Sequence, residues 1–118
     1  MTILLIDDDP EILHIATYAL EKLGHHVVSA ATGAEAVAHA QAGHFDAIVA
    51  DVVLPDVETP VLLAQLRRGR TRATPIVLLT ARHAPPEASE PGVVGVIEKP
   101  FDPLALGAEI ERFLAGAL

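Results

Sequence analysis

Five short apolar runs, rich in valine, isoleucine and leucine, are spaced along the chain: ILLI at 3–6, HVVSA at 26–30, FDAIVA at 45–50, PIVLL at 75–79 and VVGVI at 93–97. Runs that read as near-continuous Val/Ile/Leu are the mark of strands buried on both faces, which is the habit of parallel sheets. Four of the runs end on polar residues: Asp7-Asp8, Asp51, Thr80 and Glu98-Lys99. In an open parallel sheet ligands bind outside the carboxyl ends of the strands, so these residues are expected on one edge.

Between the runs the apolar period lengthens to that of a helix. Asp9 is a candidate N-cap and Pro10 occupies a first-turn position, after which Ile12, Ile15, Ala16, Ala19, Leu20 and Leu23 form an apolar stripe closed by Gly24. Thr32-Gly33-Ala34-Glu35 is a capping box opening a second, alanine-rich helix that stops near Gly43. Thr59-Pro60 repeats the cap-plus-proline device for a third helix through about Arg68, and Asp102-Pro103 repeats it for a last helix carrying Leu104, Ala108, Glu109, Phe113 and Leu114. Residues 83–92, HAPPEASEPG, break the alternation. Three prolines and little apolar periodicity predict a fourth crossover made mostly of mobile loop or a single turn.

Composition narrows the function classes. The 118 residues form one expected domain, 1–118, and 51% hydrophobic residues suffice for a packed core. No apolar run approaches membrane-spanning length and the chain enters its first strand without a basic leader, so a cytoplasmic protein with no membrane contact is expected. Cysteine is absent, which excludes disulfides and thiolate chemistry. A net charge of −8 argues against direct nucleic-acid binding and for a cation or a basic partner. The six histidines lack metal-ligand spacing and read as surface residues, and Arg67, Arg68, Arg70 and Arg72 read as a solvated basic turn.

Taken together, ILLIDDDPEI, AIVADVVLP, IVLLTAR and VIEKPF resemble the signature segments of response-regulator receiver domains, the phosphoacceptor modules of two-component signalling. The resemblance covers essentially the whole chain, and its specificity lies in four motifs at the right strand ends in the right order. It implies a flavodoxin-like, doubly wound α/β fold with a five-stranded parallel sheet in the order 2-1-3-4-5, here with the fourth helix shortened or missing.

Three carboxylates converging at one strand edge, from Asp7, Asp8 and Asp51, repel one another unless a cation neutralises them. Hard oxygen ligands without His or Cys select Mg²⁺. The resemblance implies that Asp8 and Asp51 bind Mg²⁺ directly, Asp7 through a water, and Val53 through its backbone carbonyl. It further implies that Asp51 is the nucleophile forming an acyl phosphate, that Lys99 offsets charge on the phosphoryl oxygens, and that the Thr80 hydroxyl senses the phosphoryl group. The Lys99–Pro100 bond is expected to be cis.

The chain departs from the family pattern at two further places. Glu58-Thr59-Pro60 replaces the usual Asp-Gly pair after the acceptor-loop proline, and Val96 stands where an aromatic residue is usual three positions before the lysine. The favoured expectation is a phosphoacceptor switch, not an enzyme acting on other substrates. It would take phosphate from a sensor histidine kinase or phosphotransfer protein and signal to a downstream protein target, as a monomer or weak homodimer. A phosphorylation-independent scaffold module is the alternative, and an Asp-nucleophile phosphotransferase acting on small molecules is a third, weaker reading because the chain lacks a substrate lid.

Overall fold

Strands β1 (Thr2–Ile6), β2 (His26–Ala30), β3 (Ala47–Asp51), β4 (Ile76–Thr80) and β5 (Val93–Glu98) form one parallel sheet in the order β2-β1-β3-β4-β5. This is a computed structural model, and it describes residues 1–81 and 85–117. Four α-helices connect or follow the strands: α1 (Pro10–Lys22), α2 (Gly33–Ala42), α3 (Thr59–Leu66) and α4 (Pro103–Gly116). The flavodoxin-like doubly wound fold is thereby established.

Alternation along the strands divides the core into two layers. Leu4, Ile6, Ile48, Ala50, Ile76 and Leu78 pack with Ala36, Ala40, Leu62, Leu63 and Leu66 of α2 and α3. The intervening residues Ile3, Leu5, Val49, Val77 and Leu79 pack on the opposite face with Ala16 and Leu20 of α1 and Leu106 and Ile110 of α4. Every residue of β3 and β4 is buried, which explains why these runs carry almost no polar residue before their last position.

The helices begin largely as their cap residues require. Asp9 accepts a hydrogen bond from Glu11 N (2.9 Å), Thr32 from Glu35 N (3.1 Å) and Asp102 from Leu104 N (2.9 Å). Three expectations are corrected. The cap of α3 is Glu58 rather than Thr59, and α3 ends at Leu66 rather than near Arg68. The buried stripe of α1 runs through Leu13, Ala16 and Leu20, leaving Ile15 and Leu23 exposed. α4, for which the sequence pattern assigned no face, buries Leu106, Gly107 and Ile110 and leaves Leu104 almost wholly exposed. In α1 a broad apolar composition left the rotational phase open by one residue.

In the β4–β5 crossover the expected reduction takes the form of a 3₁₀ turn, Pro86–Ser89, in place of a longer helix. Residues 83 and 84, which belong to the predicted loop, lie outside the described residues. At the edge of the sheet opposite the strand carboxyl ends, a second 3₁₀ turn, Gly69–Thr71, carries the basic cluster, with Arg68, Arg70 and Arg72 exposed and the Thr71 hydroxyl donating to Leu66 O.

Gly95 marks a close approach. The β4–β5 ladder shifts register between Ile76 and Val77, and a Cβ at residue 95 would fall 2.3 Å from the Phe113 ring of α4. Gly95→Ala is expected to displace that ring and cost about 1–3 kcal/mol, the usual range for overpacking. Urea unfolding measures it, and a change below about 0.5 kcal/mol would show that Phe113 is not seated as described.

Candidate functional site

All the candidate site residues named from the sequence lie at the carboxyl edge of the sheet or in the loops leaving it. Asp51 and Thr80 are the last residues of β3 and β4, Asp7 and Asp8 directly follow β1, Val53 follows β3, and Lys99 follows β5. Backbone hydrogen bonds hold these exits in place: Asp7 N donates to Ala30 O (3.1 Å), Val52 N to Leu79 O (3.1 Å) and Lys99 N to Thr80 O (2.7 Å). The Lys99–Pro100 peptide is cis. Asp8, Asp51, Val53, Thr80 and Lys99 line a cleft of about 260 Å³.

Asp7, Asp8 and Asp51 each bring a carboxylate oxygen within 4.8 Å of the others. Asp7 is fully buried, Asp51 nearly so, and Asp8 is exposed. The Lys99 ammonium lies 2.8 Å from Asp7 Oδ2 and 3.4 Å from Asp51 Oδ1. Asp7 Oδ1 accepts from Asp9 N (2.9 Å), and Asp51 Oδ1 accepts from Val53 N (3.2 Å). Among the described residues, one cation faces three carboxylates, which leaves the cluster short of positive charge.

The titration of the site follows first from burial and then from the neighbouring charges. Burial, followed by the neighbouring Asp7 charge, pushes the Asp51 carboxyl above the usual carboxylate range, against the pull of Val53 N–H and Lys99. Burial of Lys99 works against its charge, but the hydrogen bond to Asp7 and the charges of Asp51 and Asp7 outweigh it, so its pKa is raised. A set of hard carboxylate oxygens with an unmet negative charge suits a divalent cation such as Mg²⁺, with Asp8 supplying the solvent-facing member.

Two residues of the acceptor loop have contacts that the linear sequence does not display. The Thr59 hydroxyl, assigned above to a helix cap, instead donates to Val52 O. Asp56 accepts from Gly33 N (2.9 Å) and Ala34 N (3.1 Å), reaching across to the first turn of α2. Those two amides hold its carboxyl below the usual range. An Asp after a loop proline is a visible capping candidate, but its target lies 23 positions upstream and only the fold pairs them. Val96 is half-buried against the α2/α3 layer, and no ring occupies its place.

A family model described as the response regulator receiver domain matches residues 3–111. The chain belongs to the response regulator receiver domain family. This receiver domain is 30% identical to protein PilH of Pseudomonas aeruginosa over 97% of its own length and 98% of PilH. It is 37% identical to the transcriptional regulatory protein TcrA of Mycobacterium tuberculosis over 85% of its length, but spans only 40% of TcrA. Among solved structures it is similar to the chemotaxis protein CheY4 of Vibrio cholerae, with a TM-score of 0.86 and 32% identity over 95% and 97% of the two chains. The receiver domain of a sensor histidine kinase from Pseudomonas aeruginosa PAO1, solved with a magnesium ion coordinated in its active-site cleft, matches with a TM-score of 0.84 and 28% identity over 97% of each chain. No helix among the described residues is long and apolar enough to cross a membrane.

Asp51 holds its proton more tightly in the folded chain than in the unfolded one. Its contribution therefore favours folding at low pH and is lost as pH rises through the raised value. Without divalent cations, Asp51→Asn is expected to be the more stable protein at pH 7. The gain is about 1 kcal/mol, or about 3–6 °C in Tm, shrinking as pH falls toward the ordinary carboxylate range. Thermal unfolding in chelator across pH 4–8 measures it, and a variant less stable than the parent at pH 7 would contradict the charge shortfall.

Proposed function

We propose that residues 1–118 form a cytoplasmic phosphoacceptor switch in which Asp51 takes a phosphoryl group, in a Mg²⁺-dependent reaction, from a sensor histidine kinase or phosphotransfer protein. The observation that carries this reading is the meeting of three carboxylates within 4.8 Å with one ammonium 2.8 Å from Asp7 and 3.4 Å from Asp51. The two contacts described for Asp51 fall on Oδ1, and Oδ2 would be the oxygen offered to an incoming phosphorus. That oxygen forms the P–O bond as the donor's P–N bond breaks, and the departing imidazole keeps the electron pair and takes up a proton.

Asp8, Asp51 and the Val53 carbonyl would hold Mg²⁺, with Asp7 acting through a water. The ion would neutralise charge on the phosphoryl oxygens during transfer. Lys99 adds a second positive charge beside the acceptor, already fixed by Asp7 before any phosphate arrives. Thr80, at the end of β4 in the same cleft, would donate its hydroxyl to the bound phosphoryl group and so register its presence. The signal then passes to a downstream protein target without direct nucleic-acid contact from this domain, which acts as a monomer or weak homodimer.

Incubation with Mg²⁺ and acetyl phosphate tests the reading. Mass spectrometry is expected to find one phosphoryl group on the parent and none on Asp51→Asn. Asp8→Ala should weaken Mg²⁺ binding by at least about tenfold, the scale on which losing a ligand contact is felt. Lys99→Ala should retain most Mg²⁺ affinity and block productive switching. Equal phosphate on Asp51→Asn, or none on the parent, would defeat the proposal and leave the scaffold reading.

A further inference from the structure

We infer that Asp56 is a positioning residue for the phosphoacceptor loop, holding residues 53–55 beside Asp51 by clamping that loop to the N-terminus of α2; the inference rests on the phosphoacceptor reading above. Residues 52–58 contain no glycine, so the loop's path is not set by a left-handed turn of its own. Contacts outside the loop define it. At its base, Val52 N donates to Leu79 O and Val52 O accepts from the Thr59 hydroxyl, which ties the two ends of the loop together. At its far side, both carboxylate oxygens of Asp56 are engaged, one by Gly33 N and one by Ala34 N.

Those amides open α2 and have no partner within the helix, so a carboxylate there gains both hydrogen bonds and the favourable end of the helix dipole. Thr32 caps a different amide of the same turn, Glu35 N, and leaves Gly33 N and Ala34 N to Asp56. The clamp therefore serves the loop as well as the helix, and removing Thr32 instead perturbs the helix end alone. The next residue tightens it: a Cβ at Gly33 would lie 2.3 Å from Val57 Cγ1, so the loop is seated where only glycine leaves room. Between the base and the clamp lies Val53, whose N–H already holds Asp51 Oδ1 and whose carbonyl is the proposed metal ligand. Releasing Asp56 frees that carbonyl to wander while leaving every proposed ligand side chain intact.

The test compares Asp56→Ala with Thr32→Ala, which removes a cap at the same helix end without touching the loop. Two quantities are read: Mg²⁺ affinity by calorimetry, and amide exchange at Val53 and Leu54 in metal-free protein. Asp56→Ala is expected to weaken Mg²⁺ about tenfold, the lower end of the usual effect of residues that orient ligands, and to speed exchange at Val53 and Leu54 by a similar factor. Thr32→Ala should lower Tm without changing either quantity. Asp56→Asn keeps one acceptor and should fall between Asp56→Ala and the parent, and it carries the comparison should Asp56→Ala not fold. Matching values for Asp56→Ala and Thr32→Ala, or parental values for Asp56→Asn where it stands alone, would overturn the inference. Absence of Mg²⁺ binding and of phosphorylation in the parent would instead overturn the phosphoacceptor reading itself.

Discussion

The ion pair between Lys99 and the buried Asp7 is the constraint on which the rest of the site depends. In the sheet order, β5 and β1 are separated by β4 and β3, three inter-strand steps, or about 14 Å at the spacing of hydrogen-bonded strands. Lys99 bridges the ends of that row, with Asp51 of the intervening β3 beneath the same ammonium. A fully buried carboxylate without a cation would be costly to keep ionised. The lysine therefore stabilises Asp7 and, in the same position, fixes where positive charge stands relative to Asp51.

Parallel topology supplies the complementary term. Each strand runs toward the same edge, so the helices that follow begin there, and their N-terminal amides and dipoles face the edge where the acids gather. Asp9, Thr32 and Asp102 use these amides as caps, and Asp56 uses a pair of them from another part of the chain. An edge crowded with carboxylates is tolerable in this architecture because the backbone offsets part of the charge. Lys99 offsets more, yet burial and the neighbouring Asp7 still hold the Asp51 carboxyl above the usual range.

Much of the site was legible in the sequence because each candidate residue ends an apolar run, and the end of a parallel strand is a position that periodicity can locate. Strand order came from the family resemblance, and the caps at Asp9, Thr32 and Asp102 from local cap patterns, whereas the division of the core into two layers is read from the fold. Helix phase was less accessible: α1 is apolar around more of its circumference than it buries, so Ile15 and Leu23 belonged to its apolar stripe and are exposed. Thr59 looked like a cap because threonine precedes proline, yet its hydroxyl found a nearer carbonyl at Val52. The reach of Asp56 to α2 depends on how two loops meet, which no local pattern encodes.

The arginine turn gives the molecule an electrical direction. Four of its eight Lys and Arg residues fall at 67, 68, 70 and 72, at the sheet edge opposite the one holding Asp7, Asp8, Asp51 and Asp56. Adsorbed on a cationic support the domain would lie with its carboxylate edge against the surface. On an anionic support it would stand on its arginines with the cleft facing solution. Immobilisation chemistry would then decide whether a tethered copy presents its acceptor aspartate or hides it.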